Sequence, residues 1–436
     1  MKRKLTCAFL VITLIFSTLA LSSCDILDYA MGQYFSGAGD ESGENGNGDN
    51  KIPNGNESGA DITINAGDNY NVTINSSESS DILAASRGLL SAVSISCKFK
   101  VKTSVGFGPS SQVYETDATS SGSGVIYRLN KESGDAYIIT NYHVVYYHQS
   151  STSNYISNNI SIYLYGMEYE EYAIPATYVG GSMQYDLAVL KVEDSLLLAE
   201  SSAMAAEFAD SNDVSALETA IAIGNPEANG ISATVGCVNV ESENITMTAS
   251  DEISTVTMRL MRIDTPVNSG NSGGGLFNRE GKLIGIVNAK LSSSTVENIG
   301  YAIPSNIVKY IAENILYYCD GTEEESVYRC LLGIRTAIKS SSAVYDTETG
   351  KVHIVEVVKI SGIVLDSVAE GLFEVGDVIN SITIDGVTYE VTRTFHVVDA
   401  MLNARKTSTV SMNITRGGET IDVAVDLSEV TPTPAA

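Results

Sequence analysis

The chain has 436 residues, enough for two or three domains with cores of their own. Its formal net charge of -27 sets nucleic acid aside as a partner, because phosphates would be repelled. Tryptophan is absent, and 23 tyrosines carry most of the aromatic mass.

Residues 1–24 read as an export signal. Met1-Lys2-Arg3-Lys4 is basic, and Cys7 to Leu21 is apolar apart from threonine and serine. That run is short for a membrane-spanning helix and matches a signal h-region in length. Leu21-Ser22-Ser23-Cys24 resembles the lipobox of bacterial lipoproteins, which implies lipidation at Cys24 and an exported protein tethered to the membrane outside the cytoplasm. Residues 25–80 form a polar tract, read as a disordered acidic and polar spacer; Gly37 to Gly59 has almost nothing apolar to bury. Asp61–Asn65 and Asn71–Asn75 alternate apolar with polar around Gly67-Asp68-Asn69, the pattern of a small hairpin. Past the signal and Cys24, four cysteines remain, Cys97, Cys237, Cys319 and Cys330. Their spacing fits no metal motif and leaves disulfide pairing open.

Helical spacing appears over Asp81–Ala92. Short strands follow at Ser94–Val101, Gly124–Leu129, Ala136–Thr140, Ser161–Tyr165, Ala188–Val192, Thr219–Ile223, Thr255–Ile263 and Lys282–Ala289, and a helix at Ser305–Tyr318. Many strands broken by Gly, Asn, Asp and Ser turns predict an all-β barrel or sandwich.

Three segments within this region carry chemistry. Gly270-Asn271-Ser272-Gly273-Gly274 offers a serine among glycines, where a carbonyl carbon and backbone N–H groups can approach without obstruction. The strand Ala136–Thr140 ends beside Asn141-Tyr142-His143, placing one of only four histidines at a strand end. Asp186 stands immediately before the apolar strand Leu187–Leu190, where a part-buried carboxylate needs a partner such as an imidazole N–H. The rival, an α/β-hydrolase elbow, needs a helix after the serine and its histidine last. Here a hairpin turn, Asn278–Gly281, follows the serine, and the histidine precedes it. Serine at 272 also sets aside a cysteine peptidase.

Ser123-Gly124-Val125-Ile126, Thr140–Val145, Asp186–Leu190, Ile223-Gly224-Asn225-Pro226, Asn268–Gly274 and Gly300–Pro304 together resemble the trypsin-like HtrA/DegP serine proteases. The resemblance covers about residues 81–310, within a protease domain set at 81–318. It implies a mostly β fold, a chymotrypsin-type double β-barrel with the site between the barrels. It further implies Ser272 as nucleophile, His143 as general base, Asp186 as its orienting carboxylate, and an oxyanion hole over Gly270, Asn271 and Ser272. No metal and no organic cofactor is required. The substrate pocket would involve Pro266, Asn288, Ala289, Lys290 and Leu291, and its lack of an acidic residue points to small aliphatic side chains at the cleaved bond. Ser269 and Gly275 stand where the family often has proline. Both are expected to loosen the oxyanion loop, so that it can rest in an inactive shape until a substrate or partner binds.

Beyond Glu323-Glu324-Glu325, residues 327–428 resemble an HtrA-type PDZ domain of α+β class, through Gly376-Asp377-Val378-Ile379, the turn Asp385-Gly386, a helical stretch at Thr394–Arg405 and the hairpin around Gly417-Gly418. By resemblance, Leu331, Leu332, Gly333 and Ile334 would receive the C-terminus of an unfolded or partner polypeptide, which adds as a strand. Residues 429–436 are expected to be a disordered tail. The resemblance also admits a homotrimer joined through the N-terminal segment of the protease domain, although no aromatic anchor stands out in Asp81–Ser96. The alternative reading, an idle protease fold that binds peptides as a scaffold lipoprotein, is opposed by the complete set of three residues.

Overall fold

The computed structural model describes residues 62–65, 71–74, 80–105, 112–289, 299–319 and 327–434, all within one compact unit spanning Ala60–Ala436. The signal segment, Cys24, most of the spacer, Lys290 and Leu291 lie outside the described residues. Strand β1 (Ile62–Asn65) pairs antiparallel with β2 (Asn71–Ile74), the hairpin that the alternation indicated. Helix α1 (Ser80–Ser91) then leads into the first barrel.

That barrel is built from β3 (Ala92–Val105), β4 (Gln112–Asn130), β5 (Asp135–Thr140), β6 (Asn159–Leu164), β7 (Ile174–Ser182) and β8 (Leu187–Val192), closed in the order β3-β4-β5-β8-β7-β6. A one-turn helix, α2 (Tyr142–Val145), follows β5, and α3 (Leu196–Glu200) follows β8. The second barrel comprises β9 (Thr219–Gly224), β10 (Ser232–Thr248), β11 (Thr255–Ile263), β12 (Gly275–Phe277), β13 (Leu283–Val287) and β14 (Gly300–Pro304), closed as β10-β11-β14-β13-β12-β9. Helix α4 (Ser305–Tyr318) packs back on the barrels through Ile307, Val308, Ile311 and Ile315.

Period-two alternation explains why several strands read as unbroken apolar runs. In β8, Ala188, Leu190 and Val192 join the first barrel's core, while Leu187 and Val189 join a separate cluster. In β9, Ala220 and Ala222 enter the second barrel's core, while Ile221 and Ile223 join the same separate cluster. That shared cluster also takes Val125, Ile139, Phe277 and Ile286, so it cements the two barrels face to face. Closure also removes the free edges of both sheets. The strands absent from the sequence reading are β7, β10, β12 and β14. They carry Gly, Pro or runs of Ser, Asn and Glu, and only their barrel neighbours make them strands.

After the barrels, β15 (Tyr328–Arg329) precedes a separate sheet made of β16 (Ile334–Tyr345), β17 (Val352–Ile363), β18 (Val378–Ile384), β19 (Val387–Glu390), β20 (Val410–Arg416) and β21 (Glu419–Val425). Its order is β16-β17-β18-β20-β21, with β19 on β18. Helix α5 (His396–Met401) closes its core, which includes Val358, Ile360, Ile379, Ile382, Met412 and Ile414. Asp377 is buried and is gripped by the Arg416 guanidinium at 2.8 and 2.6 Å. This pair ties the start of β18 to β20 and holds the carboxyl below its ordinary range. The tail departs from expectation: β22 (Thr433–Pro434) pairs with β15, because the two free backbones complete each other. The sheet domain is fastened to the second barrel by the ion pair of Arg259 with Asp399 and by the Arg259 guanidinium 3.9 Å from the Phe395 ring centre, and to helix α4 by Asn314 Nδ2 donating to Leu402 O at 3.0 Å. Cys97, Cys237 and Cys330 are free thiols.

Candidate active site

Asp186 is the last residue of the turn joining β7 to β8 and has φ of +48°, a left-handed conformation that Asp tolerates better than most residues. The turn drives its carboxylate under the barrel rim, where it is 3% exposed. A buried carboxylate is tolerable only when its oxygens are well supplied with donors. Oδ1 accepts the backbone N–H of His143 at 3.0 Å, while Oδ2 lies 2.7 Å from His143 Nδ1 and accepts Asn288 Nδ2 at 2.8 Å. The Asp186 carbonyl accepts Asn141 Nδ2 at 2.8 Å.

His143 sits on α2, whose Val144 and Val145 are sunk in the first barrel's core and fix the turn. The carboxylate can only accept, so Nδ1 carries the proton and Nε2 keeps its lone pair, the form a base requires. Asn141 and Asn288 are both fully buried, and among the described residues the side-chain oxygen of each finds no partner. Each asparagine thus holds Asp186 while leaving an orphan acceptor, a penalty of about 1–3 kcal/mol each that is tolerated where positioning matters.

Ser272 lies in the loop between β11 and β12 and is 5% exposed. Its Oγ accepts the backbone N–H of Ala289 at 3.2 Å, which leaves its own proton free to be given. Among the described residues it has no hydrogen bond to His143; such contacts often tighten only when substrate is seated. What brings the two halves together is the segment after β13. Asn288 holds the Asp186 carboxylate and the next residue, Ala289, holds the Ser272 hydroxyl.

The carbonyls from Ser269 to Ser272 are all engaged. Ser269 O accepts from Glu227 N (2.9 Å), Gly270 O from Ser123 Oγ (2.7 Å), Asn271 O from Gly274 N (2.9 Å) and Ser272 O from Ser123 N (2.8 Å). Asn271 N–H donates to Asn268 O at 3.0 Å, so the backbone amide between those of Gly270 and Ser272 is already engaged. The N–H groups of Gly270 and Ser272 donate to no acceptor among the described residues. Gly270 has φ of +96°, and a Cβ there would stand 2.3 Å from Asn225 O, so only glycine fits. Gly275 was expected to loosen the loop. Instead a Cβ there would lie 2.3 Å from the Phe277 ring, and the glycine permits tight packing.

The expected pocket is only partly reproduced. Asn288 faces Asp186 rather than a pocket, and Ala289 meets the serine. Pro266 is exposed, with its carbonyl accepting Thr234 Oγ1 at 2.8 Å. A cavity of about 630 Å³ lies elsewhere, between the second barrel and the sheet domain, lined by Arg259, His353, Phe395 and His396. Leu331 is exposed, Leu332 is buried, and Gly333 (φ +78°) accepts Val364 N–H at 2.8 Å on its carbonyl; Ile334 then opens β16, an edge strand. Ser123 and Asn225 escaped notice as site residues, although both stand in phrases that carried the resemblance.

A family model described as a trypsin-like peptidase domain matches residues 122–286. The serine protease Do-like HtrA of Bacillus subtilis (strain 168) is 40% identical over 211 residues, 48% of this chain and 42% of that protein. The serine protease Do-like HtrA of Lactococcus lactis subsp. lactis (strain IL1403) is 33% identical over 337 residues, 74% of this chain and 74% of that protein. Among solved structures, the HtrA-type protease AlgW with decapeptide aligns over 81% of this chain and 98% of its own, at 22% identity and a TM-score of 0.47.

Proposed function

From a chain that belongs to the Do-like HtrA serine protease family, and is a serine endopeptidase, we propose that His143, Asp186 and Ser272 are its catalytic residues. Ser272 Oγ attacks the scissile carbonyl carbon as its proton passes to His143 Nε2. The carbonyl oxygen becomes an anion and takes the N–H groups of Gly270 and Ser272. Collapse expels the amine, which receives the proton from His143 and leaves an acyl group on Ser272. Water then repeats the sequence and releases the acid. Asp186 keeps the ring in one tautomer and offsets the charge it gains.

The observation that carries this reading is the pair of successive grips by Asn288 on the carboxylate and Ala289 on the hydroxyl. Two consecutive residues thus hold the carboxylate and the hydroxyl that the reading pairs through His143. Around this centre, the sheet domain offers a polypeptide C-terminus the backbone of Leu332, Gly333 and Ile334, and the edge of β16 as a pairing strand. Cys24 would anchor the protein outside the cytoplasmic membrane, where its substrates would be unfolded or partner polypeptides.

Casein digestion by the wild type and by Ser272→Ala is the test. Digestion by the wild type alone, together with fluorophosphonate labelling that the variant loses, is expected. Equal digestion by both proteins overturns the proposal.

A further inference from the structure

The exposed turn after β9 makes a contact that the mechanism above does not use. Pro226–Ala228 forms a single tight turn in which Glu227 (φ +55°) and Ala228 (φ +57°) are both left-handed. Two successive non-glycine residues in that region are unfavourable and persist only where surroundings over-determine them. Here Asn225 does so. Its Nδ2 donates to Ser94 Oγ of the first barrel at 2.6 Å, its Oδ1 accepts Gly230 N–H at 2.8 Å across the turn, and its own N–H donates to Ser123 Oγ at 2.8 Å. The same Ser123 hydroxyl donates to Gly270 O.

The strained conformation aims the Glu227 N–H at Ser269 O, 2.9 Å away. A trans peptide is planar, so its C=O and N–H point in opposite directions. Holding the Ser269 carbonyl toward Glu227 therefore turns the Gly270 N–H the other way, toward the space an acyl oxygen would fill. The Glu227 side chain itself is exposed and takes no part in this.

We infer that Glu227 and Ala228 are positioning residues for the oxyanion hole: their left-handed backbone, braced by Asn225 against Ser94 and Ser123, sets the peptide plane that presents Gly270 N–H. This rests on the proposed serine mechanism and adds a reason why an exposed glutamate controls its rate. With Ser269 in place of a stiffer residue, the loop's orientation is imposed from outside, through the turn.

The test uses full-length protein with Glu227→Val and Ala228→Val, whose branched side chains resist positive φ, and Glu227→Gly, which accepts it. The valine variants are expected to lower kcat on a peptide substrate about 10- to 100-fold, within the 10²–10³ that loss of a whole oxyanion donor removes. KM should stay within about twofold and fluorophosphonate labelling should slow in step, with the thermal midpoint little changed. Glu227→Gly should rescue most of the turnover. Wild-type kcat in both valine variants overturns the inference, and so does equal loss in Glu227→Gly, which would assign the effect to the side chain. Should Glu227→Val fail to fold, Ala228→Val carries the same comparison. Ser272→Ala, run in parallel, separates the two claims: residual digestion there defeats the mechanism itself, whereas an inactive Ser272→Ala beside a fully active valine pair defeats only the role of the turn.

Discussion

The two barrels contribute to one cleft by different means. The first supplies charged and titratable side chains: His143 on a one-turn helix and Asp186 on a hairpin turn, locked by bonds of 2.7 and 3.0 Å. The second supplies mainly backbone. Its loop from Ser269 to Ser272 has every carbonyl held, and the amides of Gly270 and Ser272 find no acceptor among the described residues. A side chain reports itself in the sequence as a histidine or an aspartate. A backbone amide is present at every residue but proline, and becomes special only through its orientation. The contrast predicts that the first half should fail by changes in chemistry and the second by changes in shape.

The largest effect expected is in the first half. Asp186→Asn keeps a residue that tolerates φ of +48°, so the fold should survive. The amide can hold the imidazole in the wrong tautomer and offers it no charge, and kcat should fall about 10⁴-fold with an unchanged thermal midpoint. A comparable loss of thermal stability would mean that Asp186 is chiefly structural.

Next comes the second half, broken by shape alone. Gly270→Ala adds a methyl 2.3 Å from Asn225 O and disfavours φ of +96°. Displacing its amide should lower kcat about 10²–10³-fold while KM changes little. Unaltered kcat would remove Gly270 from the oxyanion hole.

A smaller effect should follow at the seam. Asn288→Ala takes one donor from Asp186 but leaves both His143 bonds in place. We expect a loss of about tenfold in kcat with an unchanged thermal midpoint, because the carboxylate that orients His143 loses one of its own supports. Wild-type kcat would restrict Asn288 to packing.

The smallest test lies outside both halves. His396, on the helix facing Arg259, has its pKa pushed down to about 4 by burial first, then by the charge of Arg259 and less by that of Arg393, against the opposing hydrogen bond to the Glu390 carbonyl and the charge of Asp210. Folding keeps the ring neutral, whereas the unfolded ring protonates near 6.5. Between these values the unfolded chain binds the extra proton. The contribution to stability is therefore complete above about pH 6.5 and is lost as pH falls toward 4, roughly 2–3 kcal/mol in all. Melting curves at pH 7 and pH 5 should show His396→Gln losing less stability on acidification than the wild type, with kcat at neutral pH unaffected. Parallel losses in the two proteins would refute this.

Much of the site was legible in the sequence, and the pattern of misses follows the same division. His143, Asp186 and Ser272 stood out because residue type, order and flanking strands each narrowed their meaning. Asn288 was assigned to a pocket wall, since nothing local says whether a buried amide turns to the substrate side or to a carboxylate. Strand β10, with 17 residues, was missed because its alternation comes in pieces, Ala233-Val235-Cys237, Val238-Val240 and Ile245-Met247, broken by a change of phase at Val238 and by the polar run at 241–244. It is a strand because β9 and β11 hydrogen-bond it on either side.

By itself the sequence determined the strand-rich architecture, the three side chains proposed for the chemistry and the glycines around the serine. Those depend on residue chemistry and on short-range periodicity, which are written locally. Tertiary structure alone decided which amides stay open, which asparagine grips Asp186, and how the turn at Glu227 bears on Ser269. Each of these is an orientation set by partners far away in the chain, and orientation has no signature in composition or spacing.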